Sequence, residues 1–193
     1  EIRDEILFKQ PESSHLGHCP IFYLPLSLDI EKSVLQTCCS KVICNGCAYA
    51  IKIRQMDKSL DASCPFCRHQ TPKSREEEKA IFMKRAATND SVEVLKEIGI
   101  KNYHDGDDEG AIKCMTKAAE LGDAESYYGL SFFYQEGKVV TKDEEKRLHY
   151  LEEASIRGHP EARYDLACIN DVIDSDRSVK HLIIAASLGH NSS

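Results

Sequence analysis

Tryptophan is absent from this 193-residue chain, and the other aromatics are sparse, with 8 Tyr and 6 Phe. A core must therefore be mostly aliphatic and alanine-rich, which a hydrophobic fraction of 41% permits. No apolar run reaches the roughly 18 residues that a membrane-spanning helix needs, so no span is expected. The opening residues carry no basic segment leading into a hydrophobic one and do not read as a secretory signal. No Gly-rich phosphate loop occurs, and no nucleophile sits in a strand-turn-helix motif. The acidic stretch Asp105-Gly106-Asp107-Asp108-Glu109 lacks the alternating ligands and closing Glu of a calcium loop and reads as an inter-helix turn.

Charge is uneven. The whole chain carries −7, residues 41–85 carry +5, and residues 86–193 carry −9. So acidic a half argues against general binding to phosphate backbones. The basic stretch from Lys41 to Arg85 is read as solvated charge, much of it on a connector helix, so no nucleic-acid partner is expected.

Cysteine is what the chain has in excess. Cys19 is followed by Cys38-Cys39, Cys44-x2-Cys47 and Cys64-Pro-Phe-Cys67. A thiolate pair two residues apart grips one tetrahedral ion through a tight turn. Repeated pairs in a loop-rich segment suit metal better than a disulfide scaffold, and a reducing compartment, cytoplasm or nucleus, is the corresponding expectation. Cys114 and Cys168 fall at helical positions and read as small core hydrophobes.

The two regions differ in pattern. Residues 15–70 hold short apolar stretches and one helix, from Asn45 to about Met56, with Ala48, Ile51 and either Ile53 or Met56 on its packing face. Asp57 to Ser63 reads as loop. Residues 1–14 read as a tail. Residues 71–90 form a charged connector, in which Ser74 and Glu77 have capping-box spacing ahead of a helix from about Arg75 to Ala87.

Beyond it the chain repeats. Ala118-Ala119-Glu120-Leu121-Gly122 recurs as Ala154-Ser155-Ile156-Arg157-Gly158 and as Ala185-Ala186-Ser187-Leu188-Gly189, and Ala86 to Asp90 fits the same slot. The Gly spacings are 36 and 31 residues, a period of stacked helix pairs. Each Gly suits the left-handed residue that ends a helix, as do Gly106 and Gly137. Tyr128, Leu130, Phe133 and Tyr134 have core spacing, and Tyr164 and Leu166 take the places of Tyr128 and Leu130. Residues 91–190 resemble about three SEL-like repeats, relatives of the tetratricopeptide repeat. The third departs from the pattern, with no Gly between Ile169 and Asp176. The resemblance implies a scaffold that holds partner proteins, and no catalysis.

The cysteine order resembles a RING finger, in which two zinc ions are held by interleaved ligand pairs. That resemblance places Cys19, Cys44 and Cys47 at the first zinc and Cys38, Cys39, Cys64 and Cys67 at the second. Lys41 stands near the family's usual His, and Cys39 serves instead. Phe22 stands where the first pair needs its second thiolate. His15 or His18 is a substitute ligand, imidazole being a good one; water completing the site, or loss of that ion, are the alternatives. The family binds a ubiquitin-loaded conjugating enzyme and acts by positioning. Ile21, Pro65 and Arg68 match its contact positions, a guanidinium suiting two partners at once.

The fold expected is a small zinc-stabilised α+β RING-like domain followed by an all-α helical-repeat solenoid. Two functional readings stand. One is a RING-type ubiquitin ligase whose repeats recruit substrate or adaptor proteins. The other is a non-catalytic interaction scaffold with a degenerate RING.

Overall fold

The computed structural model describes residues 2–57, 62–88, 91–170 and 174–190. Part of the loop expected at Asp57 to Ser63, the pair Asn89-Asp90 and the middle of the short segment before Asp176 lie outside them. The chain divides into two units, Leu16–Val94 and the combination of Glu1–His15 with Leu95–Ser193. Among the described residues no helix is long and apolar enough to cross a membrane.

In the first unit, a single 3-10 turn (Ile30–Lys32) leads into a hairpin of β1 (Ser33–Gln36) and β2 (Lys41–Cys44). The strands are antiparallel, with Ser33 opposite Cys44 and Gln36 opposite Lys41. The amides of Cys39 and Ser40 both donate to the Gln36 carbonyl, at 3.0 and 2.8 Å, and close the turn. Helix α2 (Asn45–Asp57) follows directly, and α3 (Arg75–Thr88) ends the connector. Ser74 caps α3 by accepting from the Glu77 amide at 3.2 Å. The Glu77 carboxylate reaches back to the Lys73 amide at 2.8 Å, one residue before the cap.

Buried Cys19, Leu26, Ile43 and Cys47 form the core here, with Leu16, Val42, Ala48, Ile51 and Phe66 packed around them. Two of those four buried residues are cysteines. So small a core rarely supports a fold by hydrophobic burial alone. Ala48 and Ile51 take the packing face expected of α2, but Ile53 and Met56 are exposed; the hairpin is too short to cover the far end of the helix.

The other unit is a stack of helices. They are α4 (Val92–His104) from Leu95 onward, α5 (Asp108–Glu120), α6 (Ala124–Glu136), α7 (Glu144–Ile156), α8 (Pro160–Asn170) and α9 (Ser175–Ser187). From α5 to α9, consecutive helices pack on each other. Gly122, Gly158 and Gly189 have φ of 96°, 83° and 97°, so each recurring Gly turns the chain in the left-handed region just past a helix end. Asp107, Asp123, Asp143 and Asp174 cap α5, α6, α7 and α9, each accepting from an amide three residues on.

One core layer gathers Ala111, Met115, Ala119, Leu130 and Phe133. The next gathers Leu151, Ala154, Ala162 and Leu166, together with Leu7. Cys114 is partly buried, but Cys168 is exposed on α8: Ala162, Leu166 and Ala167 take the buried face, and residue 168 falls outside it.

Leu7 marks a correction. Residues 1–14 read as a tail, yet Ile2–Leu7 form α1, which packs on α7. Six residues are too few to hold a helix alone, so tertiary contacts hold this one. Asp4 pairs with Arg177 at 2.8 Å, Arg3 pairs with Glu152, and the Phe8 ring lies 4.8 Å from that of His181. Arg163 is fully buried and donates to the Leu7 carbonyl. Burial lowers its pKa to about 10.

Candidate metal centre

Two turns in the cysteine-rich unit have the same backbone. At Cys64 the amide donates to the His69 carbonyl at 2.8 Å, and the Arg68 amide donates to the Cys64 carbonyl at 3.0 Å. At Cys19 the amide donates to the Leu24 carbonyl at 2.8 Å, and the Tyr23 amide donates to the Cys19 carbonyl at 2.8 Å. The offsets of four and five residues are identical. So is the left-handed fourth residue, with φ of 60° at Arg68 and 57° at Tyr23. In the first turn, Phe22 holds the position that Cys67 holds in the second.

The other cysteines arrive from the hairpin and its helix. Cys38 and Cys39 lie in the β1–β2 turn, Cys44 ends β2, and Cys47 lies in the first turn of α2. The Arg85 guanidinium on α3 donates to the Cys38 carbonyl at 2.6 Å, fixing that turn from outside.

Cys38, Cys39, Cys64 and Cys67 bring their sulfurs within 4.8 Å of one another, and so do Cys19, Cys44 and Cys47. The Cys38–Cys67 distance is 3.4 Å, Cys39–Cys64 3.6 Å and Cys19–Cys47 3.5 Å. A disulfide would need ~2.05 Å, and all nine cysteines are free thiols. Zinc–sulfur bonds of ~2.3 Å at tetrahedral angles put neighbouring sulfurs ~3.8 Å apart. The donor set and spacing therefore fit zinc in the four-thiol group and fit three of its four ligands in the other.

Each group has one acidified thiol. Burial pushes Cys19 up, but the amides of Cys44, Ile21 and Phe22 outweigh it and bring the thiol to about 7. Burial likewise opposes the amides of Cys67 and Phe66 at Cys64, which also settles at about 7. The neighbours move the other way. Burial, then the adjacent Cys44 and Cys19, push Cys47 up to about 12, and burial with the Cys67 and Cys64 sulfurs raises Cys38. Without a cation each group favours a single thiolate. A dication removes that conflict, since metal binding and thiol deprotonation are linked.

Neither histidine joins the three-thiol group. His18 stacks on Tyr23 with centroids 4.9 Å apart. His15 lies with Glu125 and His159, the donor atoms of all three within 4.8 Å of one another. Its amide is bonded to the Gly158 carbonyl at 3.0 Å, and that bond carries the side chain to the repeats. Ile21, Pro65 and Arg68 are all exposed. Ile21 opens a run, Ile21 to Leu24, whose four side chains are 40–78% exposed.

The motif reading missed two things. A turn without its second Cys has no sequence signature, so the matched backbone at Cys19 was hidden. The His15–Glu125–His159 group did leave a trace, because His159 stands immediately before α8, at the place where Asp caps its neighbours.

Comparisons with known proteins bear on the helical unit. The Sel1 repeat model matches residues 97–123, 124–159 and 160–190. The crystal structure of a Sel1 repeat protein from Oxalobacter formigenes is similar at 27% identity and a TM-score of 0.52, over 60% of this chain and 92% of that one. The structure of c5321, a protective antigen of uropathogenic Escherichia coli with an SLR fold, aligns at 16% identity and a TM-score of 0.49, over 73% of this chain and 30% of that one. No curated protein matches the chain. Residues 97–190, just under half of the chain, match three consecutive Sel1 repeats.

Proposed function

We propose that the chain is a protein-binding scaffold in which a RING-type zinc module is joined to Sel1 repeats. Sel1 repeat proteins act in protein–protein interaction, and the four-thiol group suits a closed structural zinc with no open position for chemistry. The observation that carries the reading is the pair of matched turns, of which only the one at Cys64 keeps both thiolates. A RING with one complete and one three-thiolate site keeps its fold as an interaction surface. Thiolate ligation needs reduced cysteines, which supports a reducing compartment, cytoplasm or nucleus.

Cobalt substitution of the full chain tests this, because thiolate-to-cobalt charge transfer reports sulfur-ligated sites alone. One tightly held cobalt is expected in the wild type, and a second of comparable affinity in Phe22→Cys. Absence of charge-transfer absorption would remove the zinc module from the reading.

A ligase reading rests on a separate observation, the exposure of Ile21, Pro65 and Arg68 at the two matched turns. It requires a ubiquitin-loaded conjugating enzyme as partner, with the repeats holding substrate or adaptor. Under the scaffold reading, adding the chain leaves the rate of ubiquitin discharge unchanged. Acceleration that Arg68→Ala or Ile21→Ala abolishes would replace the scaffold reading with the ligase one.

A further inference from the structure

Two imidazoles in the helical unit converge on one carboxylate oxygen. The Nε2 atoms of His15 and His159 each lie 3.3 Å from Oε2 of Glu125. Their rings are stacked, with centroids 4.5 Å apart and an interplanar angle of 16°, so the two nitrogens are presented side by side. The His15 side chain is 8% exposed and that of His159 2%, whereas Glu125 is 40% exposed and open to solvent.

The separations suit a metal set as well as a pair of long hydrogen bonds. A good N–H···O bond is ~2.9–3.0 Å long. Two donors on one tetrahedral ion with bonds of ~2.0–2.1 Å stand ~3.3 Å apart. Both contacts have the second length, and both fall on the same oxygen. His15 Nδ1 is buried without a hydrogen-bond partner, so Nε2 is the nitrogen that His15 brings to the group.

Around His159 the surroundings suit a ligand. Its Nδ1 lies 3.3 Å from Glu161 Oε2, the placing of a carboxylate that orients a metal-bound imidazole. The Ala162 amide approaches the same Nδ1 at 3.3 Å. Without a metal that amide takes Nδ1 as a weak helix cap. With one, Nδ1 carries the proton and gives it to Glu161. Tyr128, its centroid 4.3 Å from that of His159, closes one side.

We propose that His15, Glu125 and His159 form a divalent-cation site, of a borderline ion such as zinc, that clasps the N-terminal segment to the Sel1 repeats. The fourth position is open to water on the Glu125 side. Two imidazoles and a carboxylate are a donor set such ions accept. The clasp differs from the thiolate groups in its donors and in the unit that carries it, and it does not depend on the RING reading.

Native mass spectrometry of the reduced full chain in zinc is the first measurement. Wild type is expected to hold one ion more than Glu125→Gln and His159→Gln. Hydrogen exchange is the second. In wild type, zinc added beyond what the thiolate groups bind slows exchange of residues 11–15, where the His15 amide is bonded to Gly158, and it leaves both variants unchanged. Equal zinc counts in the three proteins overturn the proposal, and so does exchange in wild type that zinc does not alter. The wild-type exchange arm decides the matter even where a variant folds poorly. Cobalt charge transfer sees only sulfur ligation, so failure of the thiolate sites is read separately.

Discussion

A Cβ added at Gly158 would stand 3.0 Å from the Ser13 carbonyl oxygen and 3.3 Å from the His15 amide nitrogen, on a backbone with φ of 83°. Gly158→Ala therefore combines left-handed strain with displacement of the segment seated on it. A loss of about 1–3 kcal/mol is expected in urea unfolding followed by far-UV circular dichroism, with faster exchange at residues 11–15. His181 is a second residue with a measurable signature. It is fully buried, with both ring nitrogens unpartnered. Burial lowers its pKa from 6.5 to about 4, Arg163 and Arg177 adding to the effect and Asp4 opposing it. The unfolded chain thus takes up the proton first as pH falls. The contribution is complete above about 6.5 and is lost progressively toward 4, on the order of 3 kcal/mol. In His181→Leu the difference in unfolding free energy between neutral and acid pH is expected to shrink by that amount. An equal pH dependence in both proteins would mean that other groups carry the acid loss.

At the scale of elements, the repeat helices start alike. Asp123 accepts from the Ser126 amide at 2.8 Å and from its hydroxyl at 2.6 Å, so Asp123→Ala should lower stability by about 1 kcal/mol and leave helix content near that of the wild type. Met115 lies between helices that come close to it. A Cβ at Gly99 would meet its Cγ at 2.9 Å, and one at Gly129 its Sδ at 2.9 Å. Met115→Ala would join the space it leaves to a neighbouring cavity of about 260 Å³ lined by Tyr103, Phe132 and Phe133, at about 2–5 kcal/mol by urea unfolding. These helices were legible in the sequence, because glycine at a left-handed turn and paired alanines at a close helix contact are local requirements that recur with the repeat. Helix α1 was not legible. Six residues carry no period, and what holds them is the far end of the chain. His15 escaped for the same reason. Distance along the sequence put it beside Cys19, whereas a backbone bond to Gly158 puts it against Glu125. The cysteine groups fell between these cases, since pair spacing marks a ligand but says nothing of the turn that Phe22 shares with Cys67.

At the scale of the molecule, two units of different construction share one chain. One rests on layered aliphatic contacts among helices, the other on four buried residues and a set of thiols. Chelation under reducing conditions should therefore separate them. Hydrogen exchange across residues 33–57 is expected to approach that of an unfolded chain, while most of the helical circular dichroism persists. A single transition in which both units are lost together would contradict this division. The buried guanidinium of Arg163, donating to the carbonyl of Leu7, bears on how freely the repeats can be moved. A Sel1 array is modular where each repeat asks only for its neighbours, and the third repeat here asks for the N-terminus as well. A boundary drawn at the first repeat would leave a cation in an apolar layer with its acceptor gone. Excised for a fusion or a transplant, this array has to bring α1 with it or give up Arg163.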